Sequence, residues 1–160
     1  MSEIKAGRRK IEITNAAKLY FPDAGITKTD VLKDYSDMSE YILPYKRERA
    51  VTMHRFPDGI SGENFYQHKA SDYFPDWVDT MFLKKKEGGE IKHVICNNKA
   101  SLIYLENQGC IVPHIRLSRV SNPDCPDKML FNLDPPESNF SIARKADSKD
   151  LIKRINRNYN

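Results

Sequence analysis

The sequence predicts a single α+β domain in which strands outnumber long helices, built on a mixed, mostly antiparallel sheet flanked by a few helices. Three observations predict it. The chain has 160 residues, enough for one core and too few for two. Short alternating or β-branched runs recur between Pro and Gly turns, as strands do. Only two windows combine helical spacing with a capping residue before and a stop after. Hydrophobic residues at 39% and aromatics at 10% supply the core and argue against disorder as the main state.

In chain order, IEIT (11–14) alternates like a short strand, and NAAKLYFPDAGITKTD follows as a loop punctuated by Pro22 and Gly25. A helix is expected over 28–43. Thr27 caps it, Asp30 takes the third helical position, Val31, Tyr35, Met38 and Ile42 share one face, and Pro44 ends it. AVTMHR (50–55) reads as a strand, FPDG (56–59) as a turn and NFYQH (64–68) as the next strand. SDYFPDWVDT leads to a strand near 80–84, which returns through EGGE into IKHVIC (91–96). Residues 98–108 form the second helix, with Gly109 as its C-terminal stop. CIVPHIRL and KMLFNLD close the sheet, and a basic amphipathic helix fits SKDLIKRINRNYN.

Charge is concentrated at the ends. The chain carries 26 Lys and Arg against 22 Asp and Glu, a net charge of +4. Residues 141–160 contribute six of those bases against Asp147 and Asp150, and residues 1–10 contribute Lys5, Arg8, Arg9 and Lys10 against Glu3. The remaining body is slightly acidic, so basic ends suit contact with a polyanion. No apolar run approaches the ~18 residues of a membrane span, and no apolar stretch follows the basic N-terminus as in a secretory signal. Cys96, Cys110 and Cys125 include no CxxC pair, so a reducing, cytoplasmic setting is expected. The glycines (Gly59, Gly62, Gly88, Gly89) lack phosphate-loop spacing, and the four histidines are far apart in sequence.

Four segments together carry more. ITNAAKLYFPDAGITKTDVLKDY, AVTMHRFPDGISGENFYQHKA, NQGCIVPHIRLSR and DKMLFNLDPP occur in this order, and the chain resembles the polymerase/primase domain of bacterial and archaeal DNA ligase D, of the archaeo-eukaryotic primase superfamily. The resemblance runs from about residue 11 to 136. It implies the N-terminal half of a primase-polymerase fold, preceded by a basic arm (1–10) and followed by a basic tail (137–160). It also implies a place in non-homologous end joining. By position, Asn15, Lys18 and Lys28 match a pocket for the 5′-phosphate of a gap or broken end; two ammonium groups and an amide suit a terminal phosphate. Phe65 and Tyr66 match an aromatic pair on template bases, although strand neighbours point to opposite faces and one ring is expected in the core. Arg55 matches a family arginine beside that turn, and His114 one near the nucleotide triphosphate.

The same resemblance exposes departures. The family holds divalent metal with an Asp-x-Asp pair where this chain has Asn132-Leu133-Asp134, leaving Asp134 as the catalytic and metal-binding candidate. His68 and His54 stand where Lys or Arg is usual. The family's third carboxylate and nucleotide-gripping motif do not follow Pro136. Polymerisation by this chain alone is therefore not expected, and Mn²⁺ or Mg²⁺ is implied only if another chain completes the centre. Three readings stay open: a module binding 5′-phosphorylated gaps or ends beside Ku, a DNA ligase or a polymerase; half of a split polymerase; and an interaction protein without DNA.

Overall fold

A computed structural model describes residues 2–85 and 87–130. The chain divides into two compact units, Met1–Lys128 and Met129–Asn160. Of the second, only residues 129 and 130 are described, outside any helix or strand. The first unit runs β1 (Glu3–Ala6), β2 (Arg9–Glu12), β3 (Leu19–Phe21), β4 (Ile26–Thr27), α1 (Lys28–Asp37), α2 (Ser39–Lys46), β5 (Ala50–Arg55), β6 (Phe65–Gln67), β7 (Thr80–Lys84), β8 (Glu90–Ile95), α3 (Lys99–Asn107) and β9 (Val112–Ile115). It is the expected α+β fold, and every strand pairing among the described residues is antiparallel. Asn132, Asp134 and the tail from 137 lie outside the described residues.

β5 organises the main sheet. β9 pairs along one side of it, from Val51↔Ile115 to His54↔Val112. The opposite side is shared: β8 takes Ala50 and Val51, β6 takes Met53 to Arg55, and β7 adds outside β8. Strand alternation then decides the two faces. Val51 and Met53 are fully buried in the main core with Val94, Leu102 and Leu105. Each such side chain contributes about 1.5–3 kcal/mol through removal from water. On the other face Ala50, Leu83 and Ile95 make a small cluster against Val120, while Thr52 and His54 stay half-buried.

α3 lies between two layers, which is why most of its residues are buried. Leu102 and Leu105 pack in the sheet core, while Ala100 and Ile103 join Ile4, Ala6 and Ile11 of the β1–β2 hairpin. The basic arm expected over 1–10 is thus largely this hairpin, and the strand expected at 11–14 is its second half, ending at Glu12. The apolar residues Ile4, Ala6 and Ile11 dock it on α3.

The long helix expected over 28–43 is two helices. Its capping box is present: the Thr27 amide donates to the Asp30 carboxylate at 2.9 Å and the Asp30 amide to Thr27 Oγ1 at 3.3 Å. At Met38 the backbone leaves helical geometry (φ −83°, ψ 0°), and the Ser39 hydroxyl bonds the Ser36 carbonyl at 2.7 Å, a local alternative to helix continuation. The buried residues of α1 are Lys28 and Leu32, not the expected stripe, and Met38 is exposed. Pro44 does not end the helix; it sits inside α2, where it removes the amide that would bond Glu40. Both residues are exposed, so the Glu40 carbonyl can turn to water.

Candidate nucleic-acid interface

Ten residues separate Lys18 from Lys28, yet backbone bonds stitch their segments together. Asn15 takes φ 52°, a left-handed conformation that Asn tolerates, and its carbonyl accepts from the Lys18 amide at 2.9 Å. The Lys18 carbonyl accepts from the Lys28 amide at 2.7 Å, and Ala16 accepts from both the Thr29 amide and its hydroxyl. Two glycines admit the remaining walls. A Cβ on Gly59 (φ +86°) would meet the Leu19 carbonyl oxygen at 2.7 Å, and one on Gly109 (φ +84°) would press on Phe56 and Pro57 backbone at 3.3 Å. The three segments enclose a polar pocket of about 190 Å³ that includes Asn15, Lys18, Lys28 and Arg55. Thr14, Tyr20, Asn107 and Gln108 also line it, and no carboxylate does.

Lys28 is 4% exposed and belongs to no ion pair among the described residues. Its ammonium donates to the Thr14 carbonyl at 2.8 Å and hydroxyl at 2.9 Å, which leaves one of three donors. Burial, and then the charges of Lys18 and Arg55, bring its pKa down to about 8. Lys18 is anchored at the pocket wall, donating to the Pro57 carbonyl at 3.0 Å and to Asp58 Oδ1 at 2.6 Å. Arg55 Nε donates to the Gln108 carbonyl at 2.7 Å and a terminal nitrogen to Gln67 Oε1 at 2.7 Å, while the guanidinium lies 5.4 Å from the centre of the Phe65 ring. Asn107 is fixed at both ends of its amide, accepting from the Thr14 amide and donating to the Glu12 carbonyl. Its neighbour Glu106 is buried, and burial pushes that carboxyl well above the usual range against the pull of Lys46, favouring the neutral form beside an electropositive pocket.

The three residues assigned to one pocket by resemblance therefore meet in one pocket, with Arg55 as a further cation in its wall. Thr14, Tyr20, Asn107 and Gln108 were missed. Thr14 and Tyr20 fall inside the ITNAAKLYFP run, and Asn107 and Gln108 inside NQG, but nothing in either spacing marks them as walls of a pocket.

The aromatic pair divides between faces, and the expectation that one ring is core is corrected: Phe65 is 46% and Tyr66 57% exposed. β6 is three residues long at the sheet edge, so neither face is covered there. Phe65 pairs with Arg55 on the pocket side. Tyr66 pairs with His54 on the opposite face, where the two rings stack at 4.1 Å. His114 is on that face too, 5.5 Å from Tyr66 and away from the pocket. His68, against Thr52 Oγ1 at 3.1 Å, and buried His93 complete it, so the four histidines that are distant in sequence share one sheet face. Among the described residues no three His, Cys, Asp or Glu side chains are grouped to hold a metal, and no helix is long and apolar enough to cross a membrane.

The described unit is thus an antiparallel sheet with α3 packed in its core and a cationic pocket beside the β5–β6 corner. The fold matches that of the solved polymerase domain from Mycobacterium tuberculosis ligase D in complex with DNA, with a TM-score of 0.66 at 24% identity over 68% of this chain and 38% of that one. Residues 27–155 match the family described as LigD, primase-polymerase domain, and the chain belongs to it. Asn15 and Lys18 precede the matched span. The bifunctional non-homologous end joining protein LigD of Bacillus subtilis is 30% identical over 147 residues, covering 91% of this chain and 23% of that protein. The multifunctional LigD of Mycolicibacterium smegmatis is 26% identical over 130 residues, covering 80% and 17%. The chain spans less than a quarter of these curated relatives.

Proposed function

We propose that this chain is a DNA-binding module that receives the 5′-phosphate of a gap or double-strand break end in non-homologous end joining, without polymerising by itself. The observation that carries this reading is Lys28: a buried ammonium with no carboxylate partner among the described residues, facing a polar pocket beside Lys18, Arg55 and Asn15. Leaving a buried cation unpaired is costly, and a doubly charged phosphate ester is the ligand that offsets it. A terminal phosphate carries more charge than an internal one, so the pocket prefers ends. Family membership and the DNA complex of the structural relative support the same direction. In this reading the partners are the phosphorylated end and, beyond it, Ku, a DNA ligase or the remainder of a polymerase. Phe65 and Tyr66 contact bases, and Arg55 connects Phe65 to the pocket.

The test is equilibrium binding to a duplex with a short gap, with and without the 5′-phosphate. The phosphorylated gap is expected to bind more tightly, and Lys18→Ala to reduce that preference by about 1–3 kcal/mol. Equal affinity for the two duplexes would refute the reading.

A further inference from the structure

α3 has a second basic site at its other end. Asn107 and Gln108 stand at the phosphate pocket, while Lys99 and Ala100, eight residues back along the helix, line a separate cleft of about 470 Å³. Its other wall is the β1–β2 hairpin, whose turn, with Gly7 at φ +65°, brings Arg8 and Arg9 to Lys99. The hairpin is held there by Ile4, Ala6 and Ile11 against Ala100 and Ile103, so the two walls keep a fixed distance.

Among the described residues the lining holds three cationic side chains and no carboxylate. Lys10, also on β2, has Glu3 as partner at 3.0 Å, whereas Arg8, Arg9 and Lys99 enter no ion pair among the described residues. Arg9 is oriented by Trp77, its guanidinium carbon 4.7 Å from the ring centre. Stacking occupies the face of a guanidinium and leaves its in-plane N–H donors free for an anion. Three like charges collected around one concavity repel one another unless an anion enters.

Resting on the reading of the pocket as the seat of a 5′-phosphate, we propose that this cleft holds an internal phosphodiester of the same DNA, downstream of the end. Lys99 to Asn107 is eight helical rises of ~1.5 Å, which separates the two sites by about 12 Å along α3. For a duplex running along α3, at ~3.4 Å of rise per nucleotide, this is about three to four steps. α3 then acts as a spacer. The pocket at its C-terminal end takes the terminus, and the cleft at its N-terminal end takes the backbone a few nucleotides on, without base contacts.

The experiment uses the full chain and gapped DNA whose 5′-phosphorylated twelve-nucleotide downstream strand either is unmodified or carries neutral methylphosphonates at its first five internal linkages, titrated by fluorescence anisotropy at several salt concentrations. Arg8→Ala/Lys99→Ala removes two cations and spares Arg9 on Trp77. On the unmodified strand the variant is expected to bind roughly tenfold more weakly, with a log affinity–log salt slope shallower by about 0.9 per contact removed. On the methylphosphonate strand it should match the unsubstituted protein. Its ratio of affinities for 5′-phosphorylated and unphosphorylated ends should be unchanged. Equal affinities of variant and unsubstituted protein on the unmodified strand, or equal weakening on both strands, would overturn the proposal. Failure of the phosphate pocket has a separate signature, a ratio of one in the unsubstituted protein. In that case a loss confined to the unmodified strand keeps the backbone contact and overturns its spacing from the 5′ end.

Discussion

The two sides of the β5–β6 corner are built on opposite principles. On the helix side, Lys28, Arg55 and Asn107 are each held by protein oxygens, and most of their donors are committed before any ligand arrives. On the open side, His54, Tyr66 and His114 rest mainly on one another as stacked and tilted rings. The first arrangement is rigid and charged, so it discriminates. The second is soft, and rings stack on any base, so it tolerates sequence. The proposed function, recognition of any broken end over intact duplex, would need both properties, and one short edge strand supplies the contact between them.

The largest effect that would break this comparison is expected from Lys28→Met. It should abolish the 5′-phosphate preference, a loss of about 1.5–3 kcal/mol for a charged hydrogen bond. The melting temperature should not fall, because a buried lone cation gives way to an apolar chain of similar length and exposed Thr14 can turn to water. A lower melting temperature with the preference retained would make Lys28 structural.

Titrating the same group comes next. With the Lys28 pKa depressed to about 8, the free fold binds fewer protons than the unfolded chain between about pH 8 and 10.5. This group's contribution to stability therefore rises with pH across that window. Binding has the opposite sign: a phosphate needs the charged ammonium, so end affinity should decline above pH 8. Below about pH 6 the phosphate itself loses its second charge. Affinity measured from pH 5 to 9.5 should peak between these limits, and Lys28→Met should flatten the upper limb.

Ring removal sharpens the contrast. Phe65→Ala and Tyr66→Ala should each weaken binding to template overhangs by about 1–3 kcal/mol with little dependence on base identity. Only Phe65→Ala should also reduce the phosphate preference, since only Phe65 lies under Arg55. The smallest change is expected from Asp58→Asn. Asp58 is exposed and holds Lys18 at 2.6 Å, so it competes with an incoming phosphate. Releasing Lys18 should tighten binding up to about fivefold, within the ~1 kcal/mol of a surface ion pair.

Most of the sheet was legible because its strands carry period-two alternation and are bounded by Pro and Gly. β5, β7, β8 and α3 lie close to where these signals put them. The break at Met38 was not legible, since it depends on a Ser39 hydroxyl turning to the Ser36 carbonyl, a choice that spacing cannot express. The hairpin at residues 3–12 was obscured by its own charges: six charged residues surround the three apolar ones that dock on α3. At the site, Asn15, Lys18 and Lys28 were legible by family pattern alone. Asn107 and Gln108 come from a helix about eighty residues further on and had no local signature.

From its sequence alone this chain determined its family, its α+β class and the identity of the cations near its N-terminal end, because local propensity and motif order are written residue by residue. Tertiary structure alone decided that Lys28 is buried with no carboxylate partner among the described residues, that Phe65 and Tyr66 are both exposed on opposite faces, and that four scattered histidines share one of them. Those outcomes depend on which strands become neighbours and which edges stay uncovered. Both are settled by long-range packing around β5 and α3, where no nearby residue carries the information.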